Sequence, residues 1–169
     1  MNTLSPASPP DAAQPPEGAP AAGVKINKRR ENRIAAMQYL YAWEVSRPEN
    51  QAESLRLFFT SQERDRAHYA FAEELVNGIL EHITETDEAV RSYTQNWAFD
   101  RIAKVDLAIL RLAIYELLHR RDIPPVVTIN EAIELAKTFS AEDSKRFING
   151  ILDRIRSQLS RPSREAVSN

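Results

Sequence analysis

The sequence predicts an all-α protein, a compact bundle of about six to seven helices. Three observations carry that prediction. Apolar residues recur at spacings of three and four through most of the chain, as on one face of an amphipathic helix. Nothing alternates with a period of two for long enough to build a sheet. Only four glycines occur in 169 residues, too few for a turn-rich β architecture. Hydrophobic residues make up 43% of the chain, enough for one core at this length.

The first 24 residues hold six of the ten prolines and few large apolar groups, and read as a disordered tail of polyproline character. That tail has neither a basic start nor a continuous apolar stretch, so no signal peptide is expected. The folded domain is expected over residues 25–159, with a flexible tail over 160–169. Its first helix runs from about Lys28 to Ser46 and stops at Arg47-Pro48, because the residue before proline is pushed away from helical angles. Ile34, Met37, Leu40, Tyr41 and Val45 mark its buried stripe. A short second helix starts after Asn50, which is spaced from Glu53 as a cap pair, and turns Leu55, Phe58 and Phe59 inward.

Thr60 and Glu63 repeat the capping spacing at the head of a third helix. Its apolar period runs unbroken from Tyr69 to Trp97, which favours one continuous or kinked helix over two. Residues 102–118, IAKVDLAILRLAIYELL, are apolar on nearly every side and belong at the centre of the bundle. Pro124-Pro125 closes the next connection. Within residues 128–155, TINEAIELAKTFSAEDSKRFINGILDRI, Thr128 and Glu131 have the spacing of a capping box. The pattern breaks at Phe139-Ser140. A last helix starts near Glu142-Asp143-Ser144 and turns Phe147, Ile148, Ile151, Leu152 and Ile155 inward.

One internal echo stands out: NGILEHI at 77–83 and NGILDRI at 149–155. Both Asn-Gly pairs fall inside helical periodicity, where glycine suits close approach by another helix rather than a turn. Two related sub-bundles would produce such an echo, and so would chance similarity between amphipathic helices.

No motif supports catalysis. There is no Gly-rich phosphate loop and no cysteine, and His68, His82 and His119 are scattered without ligand spacing. No enzyme activity, metal or cofactor is expected. No apolar run reaches the roughly 18–20 residues that span a bilayer, and a cytoplasmic protein is expected.

Charge is distributed unevenly. Residues 25–33 carry +4 (Lys25, Lys28, Arg29, Arg30 and Arg33 against Glu31), the tail −2 and the rest −4. A compact basic patch on a mildly acidic body suggests one localised anion site. Arg29 and Arg33 lie one turn apart and Arg30 on the adjacent stripe, so three guanidinium groups are expected to project together. Such groups grip phosphate oxygens and stack on bases. A solvated helix start is the plainer reading, but several cations at a helix's positive end are unfavourable unless an anion arrives. Asp106 is a charge on an otherwise apolar helix and is expected to face solvent or a partner.

INEAIELAK followed by ED-S-K-R-F-I-N-G-I-L-D, with RRENRIAAMQYLYAWE near the start and VDLAILRLAIYELL in the middle, resembles the NusB family of bacterial transcription antitermination proteins. The similarity covers about Lys28 to Leu159. It implies two packed three-helix sub-bundles and a surface for boxA-type single-stranded RNA. That surface would comprise the first helix (Lys28, Arg29, Arg30, Arg33) and the connection around Asp143, Lys145, Arg146 and Phe147. It also implies a protein partner, small-subunit ribosomal protein ten (NusE), contacted in or near Tyr41 and Asp106. The pair would join other Nus factors and RNA polymerase in a larger complex supporting ribosomal RNA transcription. Two departures are visible: Ser140 stands where the family commonly has glycine, and the Pro/Ala tail is not a family feature.

Two other readings compete. One is a helical protein-interaction module, for instance a homodimer that covers the basic helix. The other is the RNA-binding domain that some RNA methyltransferases share with this family, expected less because the chain ends before any methyltransferase domain. Four cations on single-stranded RNA would give a log–log salt slope near −3, at about 0.7 per phosphate.

Overall fold

A computed structural model describes residues 27–94, 98–160 and 162–166. The Pro/Ala-rich segment, Lys25 and Trp97 lie outside the described residues. Among the described residues seven α-helices follow one another: α1 Lys28–Ser46, α2 Gln51–Thr60, α3 Ala70–Glu81, α4 Ile83–Tyr93, α5 Lys104–His119, α6 Pro125–Phe139 and α7 Ser144–Gln158. Short 3-10 turns at Arg66–Tyr69 and Phe99–Arg101 precede α3 and α5. There is no strand among the described residues.

α5 is the axis of the bundle. Every residue from Asp106 to Leu117 is buried, and the helix packs against α1, α3, α4, α6 and α7. Two groups share it: α1 and α3 with α2 alongside, and α6 and α7 with α4 against α7.

Local chemistry explains several helix ends. Asn27 and Asn50 cap α1 and α2, accepting from the Arg30 and Glu53 amides. α1 stops where Arg47 turns into the left-handed region at φ 43°, just before Pro48. α3 has no cap of its own. Asn32 of α1 fills that role from a distance: its Oδ1 accepts from the Ala72 amide at 2.9 Å while its Nδ2 donates to the carbonyls of Lys28 and His68.

Several elements differ from expectation. Tyr41 (46% exposed) and Val45 (58%) face out from α1, and Tyr39 occupies the core instead, against Phe58 and Phe59. Thr60 ends α2 rather than heading α3; its hydroxyl donates back to the Arg56 carbonyl. The long third helix is two helices, separated at the single residue His82 (φ −104°, ψ 22°). One residue barely shifts the helical phase, which is why the apolar period runs through the break. α6 begins three residues before Thr128, with Pro125 at the first helical position where its missing amide costs nothing. Thr128 and Glu131 therefore form no capping box.

The two Asn-Gly pairs separate in the structure. A Cβ on Gly78 would fall 1.9 Å from the Tyr115 hydroxyl oxygen, so glycine makes room on α3 for the Tyr115 ring of α5. Gly150 has open space around it. At the C-terminus the chain returns to the body: the Val126 amide donates to the Ser163 carbonyl at 2.9 Å, and Leu159 packs against the core.

Candidate nucleic-acid interface

The four cations at the start of α1 have separate fates. Arg33 is 4% exposed and forms a two-pronged ion pair with buried Glu116 of α5, at 2.7 and 3.1 Å. The Thr128 hydroxyl donates to the same carboxylate at 2.8 Å. Arg33 thus ties α1 to α5, and it does not project with its neighbours as expected. Arg30 is half-buried and donates to Glu131 of α6 through Nε and Nη2, at 2.9 and 2.8 Å. That hydrogen-bonded pairing raises its pKa further, outweighing the opposing effect of desolvation. Lys28 and Arg29 remain exposed.

Arg29 is held differently. Its guanidinium lies over the Phe71 ring at 4.1 Å, and it has no ion pair among the described residues. A cation placed by an aromatic face keeps its N–H donors available for an incoming anion. Lys28 and Arg29 line grooves on both sides of the α1 start. One, of about 360 Å³, is completed by Asn32, His68, Ala70, Phe71, Glu74 and Arg120. The other, of about 410 Å³, includes Asp122, Pro124, Val127 and Glu131. Phe71 and Arg120 were not singled out from the sequence. The available signal was Phe71's place off the Tyr69–Ala72–Val76 stripe, an aromatic with no assigned core position.

The second expected cluster is elsewhere. Asp143 and Arg146 are exposed at the start of α7, and Phe147 is half-buried against the core. Lys145 pairs with Glu142 at 2.8 Å. Asp143 precedes α7 but its side chain makes no capping hydrogen bond. This connection packs beside the start of α5: Asp106 accepts from the hydroxyls of Ser140 and Ser144, the latter at 2.7 Å. Glu116, which holds Arg33, lies ten residues further along α5, about 15 Å at 1.5 Å per residue. The two clusters therefore occupy opposite ends of α5 rather than one corner.

Asp106 itself corrects an expectation. It is 6% exposed and so does not face solvent. Its carboxylate is satisfied by two hydroxyls, one of them from Ser140, the residue that replaces the family's common glycine. It also sits in the first turn of α5, where the helix dipole favours a negative charge. Tyr41 remains exposed on α1.

A helical bundle that opens a cationic, aromatic-floored groove at the start of its first helix belongs to the helical binding modules. Comparison with known proteins narrows this. A model of the NusB family matches residues 30–157. The transcription antitermination protein NusB of Geobacter sulfurreducens is 51% identical over 135 residues, covering 79% of this chain and 97% of its own. That of Myxococcus xanthus is 41% identical over 141 residues, covering 81% and 100%. Among solved structures, T. maritima NusB superposes with a TM-score of 0.71 at 38% identity, covering 79% of this chain and 93% of that one. A chain from the crystal structure of antitermination factors NusB and NusE in complex with dsRNA gives 0.69 at 26%, covering 78% and 98%. The chain belongs to the NusB family, a non-catalytic family of transcription antitermination factors. No helix among the described residues is long and apolar enough to cross a membrane.

Proposed function

We propose that this protein binds boxA-type single-stranded RNA together with small-subunit ribosomal protein ten (NusE), in the cytoplasm, within a larger complex of Nus factors and RNA polymerase that supports ribosomal RNA transcription. The folded RNA-binding unit in this reading is residues 25–159. The observation that carries it is Arg29 poised over Phe71 with Lys28 beside it, two cations with no ion pair among the described residues, flanking two grooves. Phosphates would meet Lys28 and Arg29, and an unstacked base could lie against the outer face of the Arg29 guanidinium, whose inner face rests on Phe71. Arg30 contributes its partly exposed edge. Arg146, exposed at the α6–α7 connection, would meet a strand that continues along the bundle, with Lys145 and Phe147 beside it and Asp143 opposing it.

A protein partner finds a separate surface. Tyr41 and Val45 lie one turn apart on α1 and expose apolar area that the bundle leaves uncovered. Docking of the ribosomal protein there leaves the groove at the other end of α1 open for RNA. Asp106 contributes only indirectly, by shaping the α6–α7 connection.

Fluorescence anisotropy of a boxA-type single strand, with and without the ribosomal partner, tests this reading. With Arg33 withdrawn from the set, three cations at about 0.7 each give a log–log salt slope near −2. Lys28→Ala with Arg29→Ala should weaken binding and flatten the slope, and the partner should tighten binding to the parent protein. Equal affinity in the parent and this variant, or a preference for double-stranded over single-stranded RNA, counts against the reading.

A further inference from the structure

We propose that His82, Glu85 and His119 form a binding site for a divalent metal ion of borderline softness, Zn2+ foremost. None of the three residues lines the grooves at Lys28 and Arg29, although Arg120, the residue after His119, lines one of them. Three elements bring it together. His82 is the residue that separates α3 from α4, Glu85 is in the first turn of α4, and His119 ends α5. One ligand atom from each lies within 4.8 Å of the other two.

The geometry is close to what an ion needs. Glu85 Oε2 is 3.2 Å from His82 Nδ1 and 2.9 Å from His119 Nε2. Donors at about 2.0 Å from a tetrahedral ion are about 3.3 Å apart, so these two edges of the coordination polyhedron nearly exist already. Two imidazoles and one carboxylate are the donor set of open zinc sites, which keep a fourth position for water. All three side chains are partly exposed, so an ion can enter. Imidazole donors disfavour Mg2+ and Ca2+, and without cysteine no thiolate diverts the site towards softer ions.

The two imidazoles stack with centroids 4.0 Å apart. Tyr115 stacks on His119 at 5.1 Å. Once bound, the ion would fasten the α3–α4 break to the last turn of α5.

Calorimetric titration of the full chain with Zn2+ alone tests the site. One ion should bind per chain, raising the thermal midpoint and losing that gain to a chelator. His82→Ala and His119→Ala should each weaken binding by about tenfold or more, and Glu85→Gln should weaken it too. His68→Ala serves as the control, because His68 pairs with Glu31 elsewhere, and should bind as the parent does. Affinity should fall as pH drops and protons compete for the imidazoles, and Mg2+ should not bind. Circular dichroism confirms that each variant is folded. No saturable Zn2+ uptake by the folded parent overturns the proposal. Uptake equal in the parent and a folded His82→Ala/His119→Ala double variant overturns it as well.

Discussion

Replacing Arg33 by alanine should unfold this protein more readily and change its RNA affinity little, although Arg33 borders one of the two grooves. The substitution leaves the Glu116 carboxylate, 1% exposed, without the guanidinium that meets it at 2.7 and 3.1 Å. Stranding one partner of a buried ion pair costs about 3–5 kcal/mol, a large part of the ~5–15 kcal/mol that typically holds a domain together. Urea denaturation followed by far-UV circular dichroism reads this as a lower midpoint at unchanged slope. The double variant Arg33→Met/Glu116→Leu removes both charges and should recover most of the loss, with Thr128 giving up its acceptor as the residual penalty. RNA affinity of folded Arg33→Ala should match the parent within about twofold. A stability loss below about 1 kcal/mol together with RNA binding weakened tenfold would show that Arg33 reaches the ligand, and the reasoning would fail.

Three further outcomes follow from the same geometry. Gly78→Ala should destabilise by about 1–3 kcal/mol, because the new Cβ meets the Tyr115 ring that packs beside His119; Gly150→Ala, with open space around it, should stabilise by about 0.4–1 kcal/mol. Thermal denaturation of the two variants checks both signs. Asp143→Asn should leave the fold intact, since that side chain makes no capping bond, and should tighten RNA binding modestly; unchanged or weaker affinity in the folded variant removes Asp143 from the interface. Acid should also act through Glu44, where burial alone would raise the pKa but hydrogen bonds from Arg47 and Arg111 hold it below the ordinary carboxylate range. A depressed folded pKa contributes stability that is complete above the unfolded value of about 4.3 and is lost as pH falls through the folded one. Glu44→Gln should therefore flatten the acid limb of urea midpoint against pH, and an equally steep limb would contradict that assignment.

What the sequence disclosed is what is settled locally. The end of α1 at Pro48, the Asn50 cap and the enclosed α5 each depend on residues within a turn or two of one another. The family resemblance rests on such contiguous stretches and held over nearly the whole described domain. The arginines were a different matter. Arg30 and Arg33 look alike in sequence, yet their carboxylates come from 101 and 83 residues away, and only the packing of α1 on α5 and α6 decides which guanidinium is enclosed. Thr128 and Glu131 imitated a capping box because hydroxyl and carboxylate at that spacing serve equally well as anchors for a neighbouring helix. Asp106 passed for a surface charge because its hydroxyl partners lie beyond the next helix. Scattered spacing similarly concealed the meeting of His82 and His119, which the break after α3 makes possible.

The hydrogen bond from Val126 to Ser163 gives the final third of the molecule a closed circuit. Pro125 has no amide, so Val126 offers the first donor of α6, and the chain supplies its acceptor only after traversing α6, α7 and the turn beyond. Removal of the chain from Ser163 onward therefore acts first on the opening turn of α6, about a turn and a half from the glutamate that steadies Arg30, rather than on the far end of α7.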